Sequence, residues 1–372
     1  MPRFDLNALT HWITAAAALR PGQLADEVAA RAGISRRSAQ HALARLVAQR
    51  WLVLEGSRRR PLHRPGLQRQ VVRRYALAAL DEDTPWRHDF APYFALPAPV
   101  HLMVQHAFCE LLNNAIEHSD GTHVTVSLRQ TASHVQLLVS DDGCGLFDRI
   151  ARSFAIDDPA LAMLELSKGK LTSRPRGHTG QGLFFASRLA DVFDLYANHV
   201  AFEHRGWDDR AWGDRAWRAQ PRVLRHAGTS AYASFALDTP RTLESVRKAH
   251  SLNGQGLGFE RTRVPLRLIA SCQAGLESRA QARRVAARLN EFRHVELDFD
   301  GVPDVGHAFA DELFRVLPGA APALALVPLN MQGPVALMVG SVRAAAGLSA
   351  ALPGARSSLR APRGSPGARG AP

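Results

Sequence analysis

Lysine is almost absent from this chain. Of 46 basic residues only Lys168, Lys170 and Lys248 are lysines, and all the others are arginine. Cysteine is scarce too, with three widely separated residues, Cys109, Cys144 and Cys272. Three scattered thiols exclude a disulfide framework and a cysteine-built zinc site, and they point to a reducing compartment. No apolar run reaches the roughly 18 residues that a membrane-spanning helix needs. The opening Met1-Pro2-Arg3-Phe4-Asp5 lacks the basic-then-apolar pattern of a secretion signal. A cytoplasmic protein without membrane attachment is therefore expected.

What is present is length and an uneven charge. The 372 residues suit two or three domains. The net charge of +12 sits at the ends. Residues 1–80 hold fourteen Arg against four acidic residues, and the last thirty-two residues add five Arg and no acid. The middle is slightly acidic. A basic end on a near-neutral body points to nucleic acid, or equally to a solvated basic surface. Two of the three lysines lie together in Ser167-Lys168-Gly169-Lys170-Leu171-Thr172. Lys is a compact, mobile point charge where Arg is a rigid fork, so this pair marks a special need or a chance cluster.

In the first seventy residues, Leu6–Leu19 reads as a helix with Leu6, Leu9, Ile13 and Ala17 on one face, broken at Arg20-Pro21-Gly22. Leu24–Arg31 reads as a second helix closed by Ala32-Gly33. Ser35 is a candidate N-cap for a third, Arg36–Gln49, burying Ala39, Leu43 and Leu46 and exposing Arg36, Arg37, Gln40 and His41. Trp51–Arg60 reads as a strand entering a basic turn. This pattern resembles the winged helix-turn-helix domains of bacterial regulators. The resemblance implies a third helix in the DNA major groove, with Arg36, Arg37, Ser38, Gln40 and His41 as contacts and Arg58, Arg59 and Arg60 on phosphate. Contact with a protein is the other use of such a module. Residues 62–99 read as a connector with scattered helical character, including Val71–Leu77, and no chemistry is assigned to them.

The central region carries the chemistry. A helix is expected from His101 to His118, with Val104, Phe108, Leu111 or Leu112, and Ala115 as its apolar stripe. Glu110, Asn114 and His118 fall on another face, one turn apart. A carboxylate can polarise an attacking hydroxyl, and an amide oxygen can complete the shell of a magnesium ion held by phosphates. By themselves a Glu and an Asn on a helix are equally a solvated surface. A hairpin, Thr122–Leu128 and Val135–Val139, then runs into Asp141-Asp142-Gly143-Cys144-Gly145. A strand-end carboxylate can accept from an exocyclic amine, although Asp-Asp-Gly is also an ordinary turn. Asp148–His178 reads as a lid over phosphate. Thr179-Gly180-Gln181-Gly182-Leu183 then opens a helix whose N–H groups suit an anion. It lacks the Lys-Ser/Thr of a P-loop. His226–Phe235 reads as a strand that begins near the hydroxyl of Thr229.

In this order and spacing the pieces resemble the GHKL superfamily, the ATP-binding fold shared by histidine kinases, gyrase, MutL, heat-shock chaperones and anti-sigma-factor kinases, over residues 96–238. The resemblance implies ATP and Mg2+ as cofactors. It makes Glu110 the catalytic base, Asn114 the magnesium ligand and Asp141 the adenine acceptor. Gly143 and Gly145 form the adenine turn, with Thr229 near the base. Thr179, Gly180, Gly182 and Leu183 form the phosphate turn, and Lys168 or Lys170 reaches the phosphates. Residues 62–100 hold no phosphoaccepting His context, which argues against a complete histidine kinase. The repeat Trp207–Trp217 interrupts the expected path as a loop duplication or a partner patch.

Beyond it, strands are expected at Val264–Ala270, His294–Asp300 and Ala323–Val327. Helices are expected from a Ser278 capping box to Phe292, over Ala308–Leu317 and over Pro334–Ala346. Leu297-Asp298-Phe299-Asp300-Gly301-Val302 resembles the core of STAS domains, and more narrowly a STAS-like module found behind GHKL domains. Gly306–Ala310 offers no phosphorylatable Ser, so docking or oligomerisation is implied, with His307 read as packing or interface. The basic tail, 347–372, reads as disordered.

The expectation is thus a multidomain α+β protein: winged helix 1–66, connector 67–95, GHKL α/β sandwich 96–240, STAS-like α/β domain 258–346, and tail. Its expected function is an ATP-switched, DNA-binding regulator, with a regulatory protein partner and a possible homodimer. The alternatives are a Ser/Thr protein kinase of the anti-sigma type, with Glu110 as base, and a scaffold that binds nucleotide without turnover.

Overall fold

The structure is a computed structural model that describes residues 13–57, 59–156, 158–171, 180–198, 200–208, 211–213, 227–270 and 275–347. Helices α1 (Ile13–Leu19), α2 (Leu24–Ala32) and α3 (Arg36–Ala48) open the described chain. α2 ends at Gly33 in the left-handed region. The Ser35 hydroxyl caps α3 by accepting the Ser38 N–H at 3.1 Å. Leu24, Val28, Ala39, Leu43 and Leu46 are fully buried, so the apolar spacing of α2 and α3 turns one face of each inward. β1 (Leu52–Ser57) and β2 (Arg60–Pro65) then form an antiparallel hairpin. Leu6 and Leu9 of the expected first helix lie outside the described residues, as does Arg58.

The stretch expected to be a connector is partly a strand. β3 (Arg69–Ala76) pairs antiparallel with β4 (His123–Gln130) along its whole length. Val71 is buried and Val72 half-exposed, an alternation that a helix would not give. β-Branched neighbours at 71 and 72 favour the extended chain once a partner strand exists. Short helical turns over 83–93 follow, and there Trp86 and Phe90 pack on Phe108 with ring centroids 5.2 and 5.0 Å away.

α4 (Ala98–His118) starts just after Pro97 and buries Val104, Phe108, Leu111, Leu112 and Ala115. β4 and β5 (His134–Asp141) form the expected hairpin, slightly longer than read. The stretch expected as a lid holds two helices, α5 (Leu146–Phe154) and α6 (Pro159–Lys168). α7 (Gly182–Leu189) leads to β6 (Val192–Ala197), β7 (Val200–Asp208), a short β8 (Ala211–Gly213) and β9 (Thr229–Ala236). All pair antiparallel in one seven-stranded sheet, ordered β3-β4-β5-β9-β6-β7-β8. Val124, Val126, Val135, Leu137, Ala233, Phe235 and Phe193 fill one face beneath the helices. The backbones of Trp207 and Trp212 fall in β7 and β8, and Trp217 lies outside the described residues.

After α8 (Leu243–Ala249), β10 (Arg261–Pro265), β11 (His294–Asp298) and β12 (Ala325–Leu329) form a three-stranded parallel sheet in that order. The expected strand at Val264–Ala270 starts earlier and turns helical at Arg267–Ala270. α9 (Arg279–Ala286) opens with the predicted capping box but stops short of Phe292, because Arg288 turns the chain left-handed at φ 63°. α10 (His307–Asp311) continues through a widened turn at Glu312–Val316, and α11 (Gly333–Ala345) closes the domain. His307 is exposed at the start of α10, so of the two readings, packing or interface, the structure removes packing. Among the described residues no helix is long and apolar enough to cross a membrane. The tail from 348 on lies outside the described residues.

Candidate functional site

Strand parity decides which of two adjacent carboxylates faces inward. Val135, Leu137, Val139 and Asp141 share the buried face of β5, so the Asp141 side chain points under the helices and is 6% exposed. Its Oδ1 accepts the N–H groups of Gly143 at 2.9 Å and Thr229 at 3.1 Å. Burial pushes its carboxyl above the ordinary range, while those backbone donors pull it down. Asp142 points the other way. It accepts from Thr122 N at 2.7 Å, Thr122 Oγ1 at 2.8 Å and His123 N at 2.9 Å, and those bonds hold its carboxyl at about 2. Asp142 pins the start of β4, and Asp141 borders a cleft.

The turn after Asp141 fits only a bare backbone. A Cβ on Gly143 would fall 2.1 Å from the Ser119 carbonyl oxygen. Gly145 precedes α5 and is braced by Asn198, whose amide donates to Cys144 O at 3.0 Å and Asp148 Oδ2 at 2.6 Å. Neither glycine lines the cleft; both shape its rim. Thr229 does line it, and its hydroxyl oxygen accepts the Leu146 N–H at 2.9 Å.

Glu110, Asn114 and His118 are one turn apart on α4 and all border the same cleft, beside Asp141. Gly180, Gly182 and Leu183 close another side. A Cβ on Gly182 would stand 1.7 Å from Glu110 Oε2, so glycine there lets the start of α7 press onto that carboxylate. His106, a turn before Glu110, has Nδ1 3.9 Å from Glu110 Oε1. Burial, with Arg247 nearby, lowers His106 to about 4, so it is neutral near pH 7. The cleft encloses about 1140 Å³, counting space open to solvent. Its walls include Val139, Ile150, Leu195 and Ala231. Apolar walls with a few convergent polar groups are the usual make-up of a small-molecule site.

Sequence reasoning missed part of this lining. Arg149, Ile150 and Phe154 come from α5, Leu166 from α6, and Leu195 and Ala231 from the sheet. The even spacing of inward residues on β6 and β9 was the available signal for the last two. Arg149 is tied to Asp120 at 2.5 Å. Thr179 lies outside the described residues.

The two lysines expected to reach phosphate do something else. The Lys168 side chain is fully buried, and its ammonium donates to Glu165 Oε1 at 2.5 Å, Ala287 O at 2.8 Å and Arg284 O at 3.4 Å. Lys170 donates to Glu291 O at 2.6 Å and lies 4.4 Å from the Phe292 ring centroid. Both point at the C-terminal domain, away from the cleft, because that domain offers the carbonyl acceptors and aromatic faces. The expectation that they bind phosphate is corrected on this geometry.

The residues expected on DNA stand apart from the cleft. Arg36, Arg37, Ser38, Gln40 and His41 are exposed on α3, and Arg59 and Arg60 are exposed at the hairpin tip. Arg36 pairs with Asp26 at 3.0 Å, with both side chains mostly in solvent.

Comparison with known families finds matches for two parts of the chain. Residues 100–216 match the family of histidine kinase-, DNA gyrase B- and HSP90-like ATPases. Residues 281–336 match a STAS-like domain of unknown function. No curated protein matches the chain. The chain thus carries a GHKL-type ATPase domain followed by a STAS-like domain.

Proposed function

We propose that this chain is a regulatory protein that binds ATP with Mg2+ in the cleft of its GHKL-type domain and contacts DNA through an N-terminal winged helix. One observation carries the nucleotide part: Asp141, Glu110, Asn114 and the Gly180–Gly182 turn converge on a single cleft with apolar walls. These residues fit the group. Asp141 Oδ1 is committed to two backbone donors, which fixes the carboxylate so that its acceptor edge would receive the adenine amine. The apolar walls suit a purine face. The Asn114 amide oxygen would complete a magnesium shell, and the α7 N-terminus would face the phosphates. ATP would bring a metal-screened, transferable phosphoryl group. Glu110 would take the proton from an attacking hydroxyl or water, and phosphoryl transfer of this kind rests mainly on positioning. Exposed arginines at the start of α3 and at the hairpin tip support the DNA part.

A second reading is a Ser/Thr protein kinase of the anti-sigma type, in which Glu110, beside Gly182 at the cleft wall, would take the proton from a protein hydroxyl. The test is calorimetric titration of ATP, with and without Mg2+, into the wild-type chain and Asp141→Asn. The amide sets a donor against the adenine donor and removes a charge-assisted bond, so affinity should fall by about 10–100-fold. Equal affinities would end this reading of the cleft. Product analysis then separates the two proposals: labelled phosphate on a second protein favours the kinase.

A further inference from the structure

The rear wall of the cleft is held by the other domain. Leu166 and Leu171 line the cleft, and between them lies the end of α6 with Gly169 and Lys170. The backbone of Lys170 and Leu171 sits directly against the Gly180 turn, where an added Cβ would approach the Leu171 carbonyl to 2.6 Å. Every residue from Lys168 to Lys170 is gripped from the C-terminal side. Thr262 Oγ1 donates to Lys168 O at 2.8 Å. Arg288 donates from Nη2 to Gly169 O at 3.2 Å and from Nη1 to Glu165 Oε2 at 2.9 Å. The Phe259 ring packs against Gly169 so closely that a Cβ there would meet it at 2.6 Å.

The grip has two features of a built joint. The Lys168 ammonium bonds the carbonyls of Arg284 and Ala287, the exposed C-terminal end of α9, where the helix dipole favours a cation. It fills that role across the domain boundary. Lys170 and Arg288 both hold left-handed backbones, at φ 59° and 63°, a conformation uncommon for residues with a Cβ. Each has a side chain anchored in the facing domain, which keeps it there.

We propose that the STAS-like domain is a working part of the nucleotide site, with Arg288 and Lys168 as positioning residues that hold Gly169–Leu171 against the Gly180 turn. Nucleotide binding and docking of the STAS-like domain then strengthen each other, since a coupling between two binding events is reciprocal. A partner that competes for the face of the STAS-like domain around Arg288 would lower ATP affinity without touching the cleft. This inference rests on reading the cleft as an ATP site.

The experiment measures ATP affinity and amide hydrogen exchange on the full chain. Arg288→Ala should weaken ATP by about 5–50-fold, within the usual span of coupling energies. Arg288→Lys should not restore it, because a point charge cannot serve Glu165 and Gly169 O as a fork does. Thr262→Val removes one hydrogen bond at nearly constant shape and should weaken ATP a few-fold, about 2–5-fold; it decides the matter if Arg288→Ala fails to fold. In the wild type, ATP should slow exchange at residues 284–291, which lie outside the cleft, and it should not do so in Asp141→Asn. The coupling is overturned if these variants speed exchange at 165–171 yet bind ATP as the wild type does, or if ATP leaves 284–291 unchanged. A wild-type chain that binds no ATP would instead remove the reading of the cleft, and the coupling with it.

Discussion

Replacing Lys168 with Met should destabilise the nucleotide-free protein. The Lys168 side chain is fully buried and its ammonium has three acceptors, Glu165 Oε1, Ala287 O and Arg284 O. Met keeps an unbranched apolar stem one atom shorter than that of Lys and removes every donor. Losing one partner of a buried ion pair costs roughly 3–5 kcal/mol. Glu165 keeps a second cation, Arg288 at 2.9 Å, so the lower end applies, about 3 kcal/mol. A domain of this size shifts by about 2–4 °C per kcal/mol, which gives a loss of roughly 6–12 °C. The assay is calorimetric melting of the apo chain, following the transition that opens the junction, since a multidomain chain need not melt in one step. A lysine serving phosphate would behave differently: it would stand in solvent without ligand, and its removal would cost affinity alone. An apo melting temperature within about 2 °C of wild type, with ATP affinity sharply lost, would refute the buried role.

Two further predictions concern other surfaces. The depressed carboxyl of Asp142, at about 2, contributes stability that is complete above the unfolded value of about 3.9 and lost as pH falls toward 2; denaturation midpoints of Asp142→Asn should therefore be less steep than wild type between those values, and parallel curves would refute the assignment. Replacing Arg36 and Arg37 together with Ala should weaken DNA binding and flatten its logarithmic salt dependence by about 2, roughly one unit per phosphate contact; an unaltered slope would remove the groove reading of α3.

The residues around the cleft were legible because chemistry and period coincide there. Glu110 and Asn114 share a helix face by spacing alone. Asp141 is separated from Asp142 by the alternation that also buries Val135, Leu137 and Val139. β3 was not legible. Its partner strand starts some fifty residues later, at His123, and nothing local to Val71–Leu77 announces that pairing. The lysines show the same limit from the chemical side. Their scarcity marked them correctly as unusual, but a basic pair before a glycine-rich turn suggested phosphate. The groups that claim Lys168 lie 116 and 119 residues further on, and they are carbonyls at a helix end, which no side-chain pattern encodes. α9 was overextended for a related reason. Its capping box is local and was read correctly, whereas its stop at Arg288 depends on contacts to Glu165 and Gly169 in another domain.

The connector read from residue 67 onward is not legible from composition either, because part of it is a strand of the sheet. A composition reading places a connector there. The structure has only residues 66–68 between the hairpin strand β2 and the sheet-edge strand β3. Gly66 N donates to Trp51 O at 2.7 Å, and Gln68 N donates to Arg50 O at 3.2 Å. Buried Arg69 fastens the turn from the other side, donating to Gly66 O at 2.9 Å and to Tyr93 O at 2.9 Å. Its charge is taken up by carbonyls, and burial lowers it to about 10. A segment whose Gly66 and Gln68 N–H groups are both bonded, and which a buried arginine fastens, does not behave as a flexible linker. The hairpin beside α3 is a separate two-stranded sheet, joined by this short fastened turn to the edge strand of the sheet that carries Asp141.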